Sequence, residues 1–176
     1  MFAIVLLSLL LQTAAPAAKP PIQRDRLRAT LEELSKFGRN PEGGVSRIAF
    51  SEADRAGREY VMGLMRDAGL TVRVDNAANI IGRREGRENL PLILFGSHID
   101  SVPHGGNFDG DVGSLGAIEV IRAMNAAGVR TRHPLEVVIW TNEEGHHFGA
   151  PLTGSRAAAG MLPASELNIN DEDGLT

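Results

Sequence analysis

Three stretches of the chain set apolar side chains three and four residues apart, and four short runs, three between them and one after the last, are apolar or alternating. Leu27, Leu31 and Leu34 lie at helical spacing within residues 24–37, and Gly38 ends that stretch. Ala53, Ala56, Tyr60, Val61, Leu64, Met65 and Ala68 mark a second helix. Ser51 and Asp54 form its N-capping pattern, and Gly69 stands at its C-terminal cap. Residues 112–127 read as a third helix through Leu115, Ile118, Glu119, Ile121 and Met124, closed by Gly128. Residues 70–74 alternate as a strand, and 79–83 form another short one. Residues 85–89 are polar, hold Gly86 and read as a turn. Residues 91–95 and 135–140 are compact apolar runs of the buried type, and a last helix begins near Ser155. Strand, helix, strand, helix in that order predicts an α/β fold. The expected sheet is mixed, mostly parallel and flanked by helices, with at least two parallel strands.

The N-terminus stands apart from this pattern. Phe2 to Leu11 are apolar apart from Ser8, and Lys19 carries the first charge. Such a run falls short of the ~20 residues that span a bilayer as a helix. Ala15-Pro16-Ala17 offers a small-x-small cleavage site, although no Lys or Arg precedes the run. Residues 1–18 are therefore expected to be a signal peptide, and 19–176 the folded part. The protein is expected to be exported, periplasmic or secreted, if that leader is cleaved, and cytoplasmic otherwise. No cysteine follows the run, so a lipoprotein anchor is excluded and no stable membrane anchor is expected.

Composition narrows the chemistry. Of 176 residues, 43% are hydrophobic and 23% charged, which suits one folded domain. Lys plus Arg number 18 against 22 for Asp plus Glu, a net charge of −4, so no basic footprint for nucleic acid is visible. The absence of cysteine excludes disulfides, a thiol nucleophile and Cys-ligated zinc, so a metal must be held by His, Asp and Glu.

Two clusters of such residues follow the two strands expected to be buried. The first is Gly96-Ser97-His98-Ile99-Asp100-Ser101, continuing to Gly105-Gly106-Asn107-Phe108-Asp109-Gly110. The second is Thr141-Asn142-Glu143-Glu144-Gly145-His146-His147. In open α/β sheets, sites form in the crevice at the carboxyl ends of the strands. His98 can ligate a metal through one ring nitrogen, and Asp100, two residues on, can orient the ring from behind. Asp109, in a glycine-flanked loop before a helix, can face the same crevice. At a strand end, one of Glu143 and Glu144 can bind metal while the other acts as general base. Taken singly, a His-x-Asp pair, adjacent glutamates and an Asp beside glycines all have ordinary structural uses. Their joint placement at successive strand ends is what points to a site.

Residues 96–111, 136–148 and Gly154-Ser155 resemble the M20-type metallohydrolases, and among them the hydantoinase/carbamoylase branch: N-carbamoyl-L-amino acid amidohydrolases, allantoate amidohydrolases and β-ureidopropionases. Arg47-Ile48-Ala49-Phe50 and residues 75–82 are similar to that branch too. The resemblance implies a dimetal-peptidase-like catalytic domain, with His98 on one metal, Asp109 bridging two and Glu144 on the second. Glu143 would be the general base, and Asp100 would orient His98. Two divalent ions are implied, zinc foremost, with Mn, Co or Ni as alternatives. The implied reaction is hydrolysis of a linear amide or ureido C–N bond in an N-carbamoyl amino acid or allantoate-like small molecule, by a hydroxide bridging the two metals. Members of the branch are longer and carry further ligands and a lid domain that dimerises. The chain is thus expected to be an N-terminal fragment, incomplete at its C-terminus and inactive alone, with a homodimer for the full-length form. His146-His147 depart from the branch and are expected at the pocket edge. Two alternatives remain. One is an M20-type aminopeptidase, dipeptidase or acyl-amino-acid deacylase. The other is a truncated, non-catalytic chain that binds a metal or a partner.

Overall fold

The Ser51 side chain accepts from the Asp54 N–H at 3.2 Å and opens α2, Glu52–Asp67, as its capping pattern requires. Gly69, at φ 78°, closes the same helix, with its N–H on the Arg66 carbonyl at 2.8 Å. The computed structural model describes residues 21–168, so the leader expected at 1–18 lies outside the described residues. The remaining helices are α1, Arg24–Leu34; α3, Asp111–Ala126; and α4, Thr153–Ala158; a 3-10 turn follows at Ala164–Asn168. The strands are β1, Thr71–Val74; β2, Ile80–Arg84; β3, Ile93–His98; and β4, Leu135–Trp140. None of the described helices is long and apolar enough to cross a membrane.

The four strands form one sheet in the order β1-β2-β4-β3. It is mixed and flanked by helices, as expected, but its proportions differ from the mostly parallel sheet read from the sequence. β1 pairs antiparallel with β2, β2 antiparallel with β4, and only β3 with β4 is parallel among the described residues. The reason is local. The β1–β2 link is a tight turn in which the Asp75 carboxylate accepts from the Ala77 and Asn79 N–H groups, both at 2.9 Å. So short a link permits only an antiparallel return, whereas α3 supplies the crossover that parallel β3 and β4 need.

One core joins sheet and helices. Leu34 of α1, Val61 and Met65 of α2, Leu115, Ile118 and Ile121 of α3, and Ile80, Val137 and Ile139 of the sheet are fully enclosed. α2 packs on β1 and β2, α3 on β3 and β4, and α1 lies against α3 and α2. The start of α1 is fixed to α3 by the buried Glu119 carboxylate, which accepts from the Gln23 N–H and from Arg26 Nε and Nη2, each at 2.8 Å.

β3 corrects a second expectation. Its first residues are not buried: Ile93 is 48% and Leu94 43% exposed. Among the described residues β3 is the last strand of the sheet, paired on one side only, and its apolar run reads as buried in the sequence because exposure is a property of neighbours. It also runs further than residues 91–95, so that its final residue is His98.

Candidate metal centre at the strand ends

β3 and β4 run parallel in a register that sets His98 opposite Trp140, so both candidate clusters leave the sheet at the same end. The strand ends at Trp140, and two residues on Asn142, with a φ of 48°, takes a left-handed conformation that asparagine tolerates. The segment from Glu143 to Leu152 then returns on itself. Leu152 N–H bonds the Glu143 carbonyl at 2.9 Å, Thr153 N–H that of Asn142 at 3.2 Å, and Gly154 N–H that of Thr141 at 2.9 Å. Asn142 Nδ2 stitches the inside of the loop to the His147 carbonyl and Thr153 Oγ1, at 3.2 and 3.0 Å. Asn79 clasps the base: its amide donates to Asp75 and to the Gly154 carbonyl, and its oxygen accepts from the Thr141 N–H. The two adjacent glutamates are thus held by backbone closure, which removes the strand alternation that would have set them on opposite faces.

His98, Asp109 and Glu144 each offer a ligand atom within 4.8 Å of the others. His98 is buried, Glu144 half-buried and Asp109 exposed. His98 Nε2 lies 3.7 Å from Asp109 Oδ1 and 3.4 Å from Glu143 Oε2, so Glu143 joins the same cluster. His146 and His147 are not members of the ligand group; their rings lie 5.8 Å apart at an edge-on angle.

Asp100 orients His98 by a different atom from the one expected. The ring Nδ1 meets the Asp100 backbone carbonyl at 3.0 Å, while the carboxylate stands off at 3.8 Å. A carbonyl can only accept, so Nδ1 carries a proton, and Nε2 is the ring nitrogen turned toward Asp109 and Glu143. The Asp100 carboxylate instead accepts from the Glu144 N–H at 3.1 Å, and its second oxygen is buried without a hydrogen-bond partner.

Electrostatics favour a cation here. Four carboxylates, from Asp100, Asp109, Glu143 and Glu144, surround one imidazole. Burial pushes the Glu144 carboxyl up, and the charges of Asp109, Glu143 and Asp100 push the same way against the pull of His98. Facing lone pairs at 3.4–3.7 Å repel unless a positive charge lies between them; a proton on Nε2 supplies one unit and a divalent ion two. The donor set of one imidazole and several carboxylates suits a divalent cation that takes nitrogen and oxygen ligands.

Gly110 explains how the Asp109 loop comes so close. Its φ is +64°, and a Cβ there would sit 2.6 Å from Nδ1 and Cε1 of the His98 ring. The ring fills the space that a side chain would take. Ser114 of α3 fixes the other side, with its hydroxyl donating to the His98 carbonyl at 2.7 Å.

Sequence reasoning named Arg47 only within a resembling segment and passed over Asp111. Arg47 is buried and bonds the Asp111 carboxylate through Nη2 at 2.7 and 2.6 Å. Burial raises the Asp111 carboxyl to about 6, against the pull of Arg47, which leaves it ionised at neutral pH. The available signal was a lone cation between Val45 and the apolar run Ile48-Ala49-Phe50, but no spacing in the sequence names its partner.

Known proteins resemble this chain in sequence and in fold. The family model for peptidase family M28 matches residues 79–170, which contain every member of the cluster. An N-carbamoyl-L-amino acid amidohydrolase of Geobacillus stearothermophilus is 46% identical over 156 residues, covering 88% of this chain and 38% of that protein. A ureidoglycolate hydrolase of Arabidopsis thaliana is 43% identical over 141 residues, covering 80% of this chain and 30% of that one. The crystal structure of a hydantoinase/carbamoylase family amidase from Burkholderia ambifaria superposes with a TM-score of 0.87 at 42% identity, over 90% of this chain and 40% of that one. The chain therefore spans well under half the length of the relatives it matches. With the cluster at the strand ends and the matched segment built around it, the chain belongs to the peptidase M28/M20-like family, and its relatives are the hydantoinase/carbamoylase amidases.

Proposed function

We propose that the protein is a metal-dependent amidohydrolase that cleaves a linear amide or ureido C–N bond, with an N-carbamoyl amino acid or an allantoate-like compound as substrate. The observation that carries this reading is the convergence of His98, Asp109 and Glu144, with Glu143 beside them. The 46% identity to an N-carbamoyl-L-amino acid amidohydrolase supports the substrate class.

His98 Nε2, Asp109 and Glu144 would hold two divalent ions, with Asp109 shared between them and zinc the first choice. When bound, such ions polarise a carbonyl and lower the pKa of water. The chain's own residues do the rest. Asp100 holds the His98 ring through its carbonyl and the Glu144 backbone through its carboxylate. Glu143 takes a proton from the attacking water and passes it to the leaving nitrogen. For a carbamoyl substrate the products are ammonia, carbon dioxide and an amino acid. A binding-only chain would have no use for Glu143, which favours catalysis over the non-catalytic alternative.

Peptide hydrolysis by the same residues is the second reading, favoured by one observation: the matching family is named for its peptidases. The deciding experiment uses the protein purified from its natural source and loaded with Zn²⁺ or Mn²⁺. Ammonia release from N-carbamoyl amino acids or allantoate is expected. Release of free amino acids from dipeptides with no ammonia from either substrate would overturn the proposal.

A further inference from the structure

Arg47 is 1% exposed, yet every N–H of its guanidinium is used. Nε donates to the Ile99 carbonyl at 2.5 Å, Nη1 to the carbonyls of Leu34 and Phe37 at 3.0 and 3.1 Å, and Nη2 to both oxygens of Asp111 at 2.7 and 2.6 Å. Its backbone is fastened too. The Arg47 N–H donates to Ser101 Oγ, and the Arg47 carbonyl accepts from the Ser101 N–H, both at 2.9 Å.

The partners bracket the candidate ligands. Ile99 lies between His98 and Asp100, and Asp111 is two residues past Asp109 and the first residue of α3. One planar group thus ties the His98 limb, the Asp109 limb and the end of α1 into a single frame. A lysine would satisfy the charge but not five donors in a fixed fork.

We infer that Arg47 is a positioning residue which sets the separation of the His98 and Asp109 limbs and thereby the metal affinity of the centre. Arg47 touches none of the candidate ligand side chains; it acts through the backbone next to one and the helix start next to another. The inference rests on the reading of the cluster as a metal site.

The test is calorimetric titration of the full-length, metal-free protein with Zn²⁺, with folding followed by circular dichroism. Arg47→Lys keeps the charge and loses the fork. The double variant Arg47→Met with Asp111→Leu replaces a buried ion pair by apolar groups of similar volume, an exchange that folds commonly tolerate. Both are expected to bind Zn²⁺ at least tenfold more weakly while keeping helical content. Glu119→Gln, which breaks the Arg26–Glu119 pair farther along α3, is expected to lower the melting temperature and leave Zn²⁺ affinity within about twofold. A folded Arg47 variant with wild-type affinity overturns the inference. So does failure of both variants to fold, because Arg47 would then be a residue of the fold and not of the centre. A wild-type chain that binds no Zn²⁺ overturns the metal reading itself, a separate and distinguishable result.

Discussion

The Glu144 N–H donates to the Asp100 carboxylate at 3.1 Å, joining the segments that follow two parallel strands. The same Asp100 meets the His98 ring with its carbonyl, so one residue fixes two candidate ligands from behind. Asp100→Ala removes the carboxylate while leaving the carbonyl. Zn²⁺ affinity, measured by calorimetry, is expected to fall 10- to 100-fold, the range common for groups that orient ligands. Unchanged affinity would detach Asp100 from the centre.

Glu143 stands 3.4 Å from His98 Nε2 but outside the three-residue ligand group. Glu143→Gln keeps the shape and removes the base. Turnover in the ammonia assay is expected to drop by at least about 10²-fold, as for loss of a general base, with Zn²⁺ affinity within about threefold. Activity that survives the change would assign the proton transfer to another group.

At Gly110, left-handed backbone and contact with the His98 ring coincide. Gly110→Ala must either displace the ring or shift the Asp109 loop. We expect a loss of about 1–3 kcal/mol in stability, read by thermal denaturation, together with weaker Zn²⁺ binding. A variant with unaltered melting and unaltered binding would show that the loop relaxes freely.

Asp54 gives the chain a dependence on pH that is separate from the ligand group. Burial raises its carboxyl to about 6 from an ordinary 3.8, against the Phe50 N–H, which donates to it at 2.9 Å, and the nearby Arg58. The folded state therefore holds this proton more tightly than the unfolded chain. Its contribution to stability is full below pH ~4 and is lost as pH rises through 6. Asp54→Asn keeps an acceptor for Phe50 and cannot titrate. Relative to wild type, the variant should gain on the order of 2 kcal/mol between pH 4 and pH 7.5 in paired denaturation curves. An equal difference at both pH values would refute the buried titration.

The residues of the candidate centre were legible because they lie in segments that follow a strand end. A strand followed by polar residues and glycines is readable from periodicity; His98, Glu143 and Glu144 announce themselves in that way, and Asp109 by its glycine-flanked loop before α3. Helix α2 was equally plain, since its caps are local contacts between Ser51 and Asp54 and around Gly69. What escaped depends on partners distant in sequence. Arg47 and Asp111 are 64 residues apart, and neither has a neighbour that betrays the other. The hold on His98 passes through the Asp100 carbonyl, an atom every residue possesses, so no side-chain pattern could single it out. The exposed start of β3 and the antiparallel share of the sheet likewise follow from strand order, which hydrophobic spacing does not encode.

The place of β3 in the sheet has one more consequence. Among the described residues the strand that ends in His98 is also the terminal strand, so its outer row of backbone donors and acceptors faces away from β4. Any peptide segment that adds to the ladder there would run about 4.8 Å from β3, and the stretch of it level with His98 would become a wall of the crevice. Sheet growth and site enclosure are thus one event in this architecture: the same main-chain pairing that would shield Ile93 and Leu94 would bring new side chains beside the imidazole.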